Sequence, residues 1–197
     1  MIQSIRNQII AFAIKVLNKL QEAKEEFVCD VTLEFAKTKE PIPFSNAKKL
    51  IYKKIVVGEQ WSDNLFDCAW FHATANLDFS AKDCYFKFDT DGEGLIFDGQ
   101  GNALYGITNF FCVYKDYSFG RPGKIYLDLE YFNVKDKLDF YIDVGNNDPF
   151  GNFLSGKVIA SSIVKIKPIN KKIINDLSFF IDLSIQTEYE EYKDYLL

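Results

Sequence analysis

Strict alternation of apolar with polar side chains, sustained in three separate runs, constrains this chain more than any other feature of its sequence. Phe71, Ala73, Ala75 and Leu77 alternate with Trp70, His72, Thr74 and Asn76. Ile125, Leu127, Leu129 and Tyr131 alternate with Tyr126, Asp128 and Glu130, and Leu138, Phe140, Ile142 and Val144 with Asp139, Tyr141 and Asp143. Successive side chains on a strand point to opposite faces, so a period of two marks strands with one face in a core and the other toward solvent. Turn signals recur about every eight to twelve residues between roughly 53 and 167, which favours an antiparallel sandwich over βαβ units.

The stretch Asp89 to Gly106, DTDGEGLIFDGQGNALYG, belongs to the same region. Two glycine-punctuated turns flank the short apolar run Leu95-Ile96-Phe97. The spacing predicts a β-meander in which Gly92, Gly94, Gly99, Gly101 and Gly106 supply positive-φ positions.

The period changes at both ends of the chain. Ile2, Ile5, Ile9, Phe12, Val16 and Leu20 recur at steps of three and four, predicting an amphipathic helix over residues 2 to 26. A weaker segment, Asp30 to Ala36, follows before Pro41 and Pro43. Beyond Pro168, Ile173, Leu177, Ile181, Ile185, Tyr189, Tyr192 and Leu196 form a second helical stripe, for which Asn170 is the predicted cap. This helix meets no Gly or Pro stop, as expected of a chain that continues into a further domain. The predicted organisation is an N-terminal helical segment (1–40) packing on the domain, a β-sandwich (41–167) and a linker helix (168–197).

Composition narrows the function classes. Nineteen Phe and eleven Tyr against one Met suit β-rich packing. A net charge of −5 argues against a nucleic-acid surface. The four cysteines (29, 68, 84 and 112) form no CxxC pair and read as reduced thiols, with two disulfides in a secreted chain as the alternative. The apolar run Ile9 to Ile14 is too short for a signal peptide or a membrane span, so the expected location is cytoplasmic.

Few residues offer chemistry. His72 is the single histidine, which leaves no usual zinc set and no Ser-His-Asp arrangement apart from one built on it. Asp89, Asp91 and Glu93 resemble the start of a calcium loop, but Gln100 stands where the bidentate Glu belongs, and a solvated hairpin turn is the preferred reading. Trp61, Trp70, Tyr85 and Tyr105 are candidates for stacking on sugar faces.

Three segments together carry a family resemblance. They are Gly58, Trp61 and Trp70-Phe71; Asp91-Gly92-Glu93-Gly94-Leu95 with Asp98-Gly99 and Gly106; and Asn146, Phe150, Gly151 and Asn152. The set resembles the N-terminal, non-catalytic domain of glycoside hydrolase family 38 α-mannosidases of the cytosolic, vacuolar and bacterial type. His72 departs from the family's Arg, and Asp63-Asn64 from its Gly-Pro.

The resemblance implies a mainly β, jelly-roll-like antiparallel sandwich between an N-terminal amphipathic helix and a C-terminal linker helix. It implies a retaining, metal-dependent hydrolase of terminal α-mannosides in the full-length enzyme, with zinc and the catalytic Asp in a downstream domain. For this chain it implies no catalytic or metal residue. The implied partners are the catalytic domain of the same polypeptide, further subunits and the parent enzyme's carbohydrate substrate, not nucleic acid or membrane. The alternative is a free-standing carbohydrate-binding module using Trp61, Trp70 and Tyr105.

Overall fold

The structure is a computed structural model, and it describes residues 2–108, 124–147 and 155–186. A helix α1 (Ile2–Glu22) precedes strands β1 (Glu25–Asp30) and β2 (Thr32–Thr38), a short helix α2 (Phe44–Ala47) and strand β3 (Lys53–Lys54). Strands β4 (Cys68–Asn76), β5 (Cys84–Asp89), β6 (Glu93–Asp98) and β7 (Ala103–Thr108) follow. Then come β8 (Tyr126–Asp128), β9 (Lys137–Gly145), β10 (Ala160–Ile166) and helix α3 (Pro168–Gln186).

The strands form two sheets, one ordered β1-β10-β5-β8 and the other β3-β2-β4-β9-β6-β7. β1 and β2 are separated by Val31 alone yet belong to different sheets, so the chain turns a sandwich corner there. The alternation read from the sequence is the sandwich's inner face, except that the Ile125–Tyr131 run stops at Asp128, where β8 gives way to a turn, and leaves Tyr131 79% exposed. Phe71 and Ala73 on β4 and Leu138, Phe140, Ile142 and Val144 on β9 are all buried, facing Phe86 and Phe88 of β5 and Leu127 of the adjacent β8. Phe71 packs against Phe35, Trp61 and Phe88, with ring centroids 5.6 to 5.8 Å apart. Each such buried ring contributes about 2–3 kcal/mol by removal from water.

The terminal segments differ from expectation in three respects. Residues 25 to 38 lie in the predicted helical segment 1–40 but are strands, and the helix ends at Glu22. Val28, Val31 and Phe35 are spaced by three and four, as on a helix. Leu33 and Phe35, turned inward between Thr32 and Glu34, carry the period of two instead. Helix α3 begins at Pro168, not after Asn170, because the Lys167 carbonyl already accepts from the amides of Asn170 (2.9 Å) and Lys171 (3.2 Å). Proline suits a first helical position, where its missing N–H costs nothing. Finally, the α1–α3 seam is built by Leu17, Ile174 and Ile181 with Ala13, Ile14, Leu20 and Leu177. The predicted stripe residues Ile5, Ile9 and Phe12 stay exposed, as do Ile173 and Ile185 on α3. Tyr189, Tyr192 and Leu196 lie outside the described residues.

Contacts divide the chain into two units. Phe27–Val164 is the sandwich, and the segments up to Glu26 and from Lys165 form a helical unit.

The outer face of the six-stranded sheet is not simply solvated. Phe44 of α2 lies over Trp70, Phe97 and Tyr141, with centroids 5.4 to 6.1 Å apart. It leaves Trp70 only 1% exposed although the sequence pattern put Trp70 on the polar side. The β6–β7 turn makes room for that ring. Gly101 has φ +93°, and a Cβ there would stand 2.5 Å from Phe44.

Candidate functional site

The register of the large sheet brings one described part of each sequence motif to one place, while Asp98-Gly99 lies at the other end of β6. Gly145, at the end of β9, pairs with Cys68 of β4 on one side and Glu93 of β6 on the other. The loop after Trp61, the Asp91–Gly94 turn and the turn at Asn146 therefore meet at a single end of the sandwich.

Asn146 and Asp67 tie the first loop to the third. The buried Asn146 donates from Nδ2 to Ser62 Oγ at 2.7 Å, and its amide donates to the Asp67 carbonyl at 2.9 Å. Asp67 Oδ2 accepts from Lys37 Nζ (2.6 Å), from Ser62 Oγ (3.0 Å) and from the amides of Asp63 and Asn64 (both 3.0 Å). Burial opposes the charge on Asp67, but the Lys37 ammonium, the two amides and the Ser62 hydroxyl outweigh it. The carboxyl is held well below the usual carboxylate range.

A depressed pKa means stability that is present above the unfolded value, about 3.9, and is lost as pH falls through the folded one. Asp67→Asn is therefore expected to cost about 1 kcal/mol at pH 7, after discounting partly exposed Lys37 for screening. The gap from the parent chain should close as pH falls below about 4. Urea melts at the two pH values check this.

Trp61 is the anchor of the first loop. It is 2% exposed, its Nε1 donates to the Thr90 carbonyl at 3.0 Å, and its amide donates to the Gly156 carbonyl at 2.9 Å. Gly156 has φ +64°, and a Cβ there would lie 2.2 Å from the Ser62 carbonyl oxygen.

The acidic turn is structural as well. Asp89 Oδ1 accepts from the Asp91 amide (2.8 Å), Asp91 Oδ2 from the Ser155 amide (2.6 Å), and Glu93 Oε2 from Asn147 Nδ2 (3.2 Å). The three carboxylates engage separate partners and do not converge as a calcium loop requires. Among the described residues, no three His, Cys, Asp or Glu side chains are placed to hold a metal ion. The described donors are therefore not gathered as the zinc that the resemblance associates with the enzyme would require.

The glycines of this turn serve differently than predicted. The positive φ belongs to Asp91 (54°), and of the five expected glycines only Gly101 is among the positive-φ residues. Gly92 and Gly94 are needed for close approach, since a Cβ would stand 2.6 Å from the Gly145 carbonyl oxygen and 2.9 Å from that of Asp143. Gly99 and Gly106 have room for a Cβ, with nothing nearer than 3.9 Å and 4.0 Å. Gly58 takes φ +93° with nothing within 4 Å, so its conformation alone calls for glycine.

Beside this brace lies an open hollow of about 490 Å³, lined in part by Phe66, Cys68, Leu95, Asp143 and Asn147. Burial raises the pKa of the Asp143 carboxyl, and burial followed by Asp143 does the same to the Cys68 thiol. Both groups favour their neutral forms relative to water, which suits neither a nucleophile nor a charged ligand contact.

The predicted sugar-stacking residues do not gather. Trp61 and Trp70 are buried on opposite faces of the same sheet, Trp61 in the core and Trp70 beneath Phe44, so neither offers a ring face to a ligand. The pattern misled because α2, four residues long, roofs a face that alternation assigns to solvent. Tyr105 is half-buried, with its ring edge-on to Phe132 and Lys124 Nζ 4.2 Å from its centroid. Tyr85 is likewise half-buried, on β5 of the other sheet.

His72 stacks on Tyr141 (4.4 Å, 14°), with Nε2 2.8 Å from Asp139 Oδ1 and Nδ1 3.8 Å from Glu34 Oε2. Burial opposes the Asp139 charge, but the hydrogen bond to His72 and the neighbouring Lys137 lower its pKa. This is a packed imidazole on the sheet's outer face. Cys29, Cys68 and Cys84 are not joined in disulfides, and Cys84 is buried. Phe150, Gly151, Asn152 and Cys112 lie outside the described residues. Also among the described residues, no helix is long and apolar enough to cross a membrane.

Sequence reasoning missed Ser62, Asp67, Thr90 and Gly156. Asp67 alone carried a signal: an Asp shortly after Ser-Asp-Asn is apt to accept from that turn's amides. A family model described as "Alpha-mannosidase, jelly roll domain" matches residues 29–178. No match is found among curated proteins.

Proposed function

Because the chain belongs to the α-mannosidase jelly-roll family, we propose that it serves as the N-terminal, non-catalytic support of a glycoside hydrolase family 38 enzyme. The observation that carries this reading is the direction of the motif side chains. Trp61 Nε1, Asp91 Oδ2, Glu93 Oε2 and Asn146 Nδ2 each bond to the protein itself, at the junction of three strands, while the buried Asn146 Oδ1 has no partner among the described residues. Residues used this way set the shape of a surface.

On this reading, hydrolysis of terminal α-mannosides with retention, and the zinc that holds the sugar hydroxyls, belong to a catalytic domain of the same polypeptide in the cytoplasm. The jelly roll packs on that domain and keeps it in shape. The test is direct assay of the purified chain with a chromogenic α-mannoside, with and without added zinc. Hydrolysis no faster than the buffer blank is the expected result, and sustained turnover would sink the proposal.

The alternative, a carbohydrate-binding module, is disfavoured by the burial of Trp61 and Trp70. A sugar platform requires an aromatic face open to solvent.

A further inference from the structure

The corner where the chain passes from one sheet to the other holds a second hollow, apart from the brace. β1 is an edge of the four-stranded sheet, β3 is an edge of the six-stranded one, and Val31 joins β1 to β2 beside β3. An open hollow of about 480 Å³ lies here, walled by Val31, Leu33, Ile55, Val56 and Val57. Two polar groups stand in this apolar setting. Ser161 lines the hollow and shares the inward face of β10 with the core residue Ile163, so its side chain points between the sheets. It is 9% exposed, and its buried Oγ has no hydrogen-bond partner among the described residues. Lys54 lines the hollow too, exposed and without an ion pair among the described residues. Glu34, opposite Lys54 in the β2–β3 register, lies instead 3.8 Å from His72 Nδ1.

We propose that this hollow binds a small aliphatic carboxylate. The ligand's chain covers the valine, leucine and isoleucine walls, and its head accepts from the Ser161 hydroxyl and the Lys54 ammonium. The flexible stem of Lys54 lets the ammonium swing over the opening. Volume and lining fit this class, since small-molecule sites span roughly 300–1,000 Å³ and are mainly apolar with a few placed polar groups. An unpaired buried hydroxyl destabilises the free protein, and an acceptor on the ligand removes that cost. Asp30, also on the lining, lies four residues before Glu34, up to roughly 13 Å along the chain from the Lys54 end. Its charge repels an anion there, so the head takes the Lys54 end. The lining includes no aromatic side chain, so a sugar would find no ring to stack on. This site goes beyond the support role, and none of its residues belongs to the three sequence motifs.

Calorimetric titration of the full chain with octanoate, octanol and octylamine at pH 7 tests it. Octanoate is expected to bind saturably, about tenfold tighter than either of the others, because only it pairs with the ammonium. Lys54→Gln, at an exposed position, should weaken octanoate about tenfold with an unchanged melting temperature. Ser161→Ala should weaken it about fivefold, yet the ligand-free variant should melt no lower than the wild type, since the hydroxyl it loses was unpaired. Lys53→Gln, whose ammonium lies 4.8 Å from the Phe35 ring centroid, should bind octanoate like the wild type. The proposal is overturned by no saturable octanoate binding up to millimolar ligand, by octanol or octylamine binding as tightly, or by an affinity undiminished in Lys54→Gln.

Discussion

Replacing Gly156 with alanine is expected to destabilise the sandwich by about 2–4 kcal/mol, roughly 5–15 °C in melting temperature for a chain of this size. Two costs add. The left-handed backbone (φ +64°) disfavours any L side chain by about 1 kcal/mol. A new Cβ would also stand 2.2 Å from the Ser62 carbonyl oxygen and 3.0 Å from Asn146 Nδ2. The near atom is backbone, so relief means moving the loop, and the Gly156 carbonyl accepts from both Trp61 and Ser62. Gly99→Ala is the control: its Cβ meets nothing nearer than Asp139 Oδ2 at 3.9 Å, and a change under about 1 kcal/mol is expected. Differential scanning fluorimetry of the two variants suffices. Equal effects would mean that the brace does not exist as described.

Trp61→Ala should cost about 3–5 kcal/mol, the range for deleting a buried aromatic from a core that cannot collapse around the gap. The indole is 2% exposed, sits edge-on to Phe71 at 5.7 Å, and donates to the Thr90 carbonyl. Trp61→Phe keeps most of the volume and removes the donor, leaving a carbonyl unpaired at a cost of about 1–3 kcal/mol. The order of stability should be wild type, then Trp61→Phe, then Trp61→Ala, read from denaturant midpoints at constant slope. A surface sugar platform predicts no such order, because an exposed aromatic can be truncated with little effect on stability.

The sandwich was legible because burial on one face imposes a period of two that no other structure tolerates. Leu138, Phe140, Ile142 and Val144 announce β9 unambiguously, and all four are buried. The register of β9 on β4 and β6 was not legible. It is set by pairing across distant segments, as between Cys68, Gly145 and Glu93, and pairing leaves no local mark.

The same limit hid the site. Trp70 reads as an outward residue until Phe44, 26 positions earlier, is known to cover it. Gly92 and Gly94 read as turn glycines because φ is a local property, whereas the close approach of the Gly145 and Asp143 carbonyls depends on the neighbouring strand. At the helical end, apolar residues lie on two sides of α1. Spacing identified a helix without telling which side packs on α3.

Titration calorimetry of the purified chain with methyl α-mannoside tests most directly whether the motif residues brace the fold and do not receive a sugar. With Trp61 and Trp70 sealed inside and Trp61 Nε1, Asp91 Oδ2, Glu93 Oε2 and Asn146 Nδ2 engaged with the protein itself, only heats of dilution are expected up to millimolar ligand. A saturable isotherm, lost on Tyr105→Ala in a variant that melts like the wild type, would contradict the account.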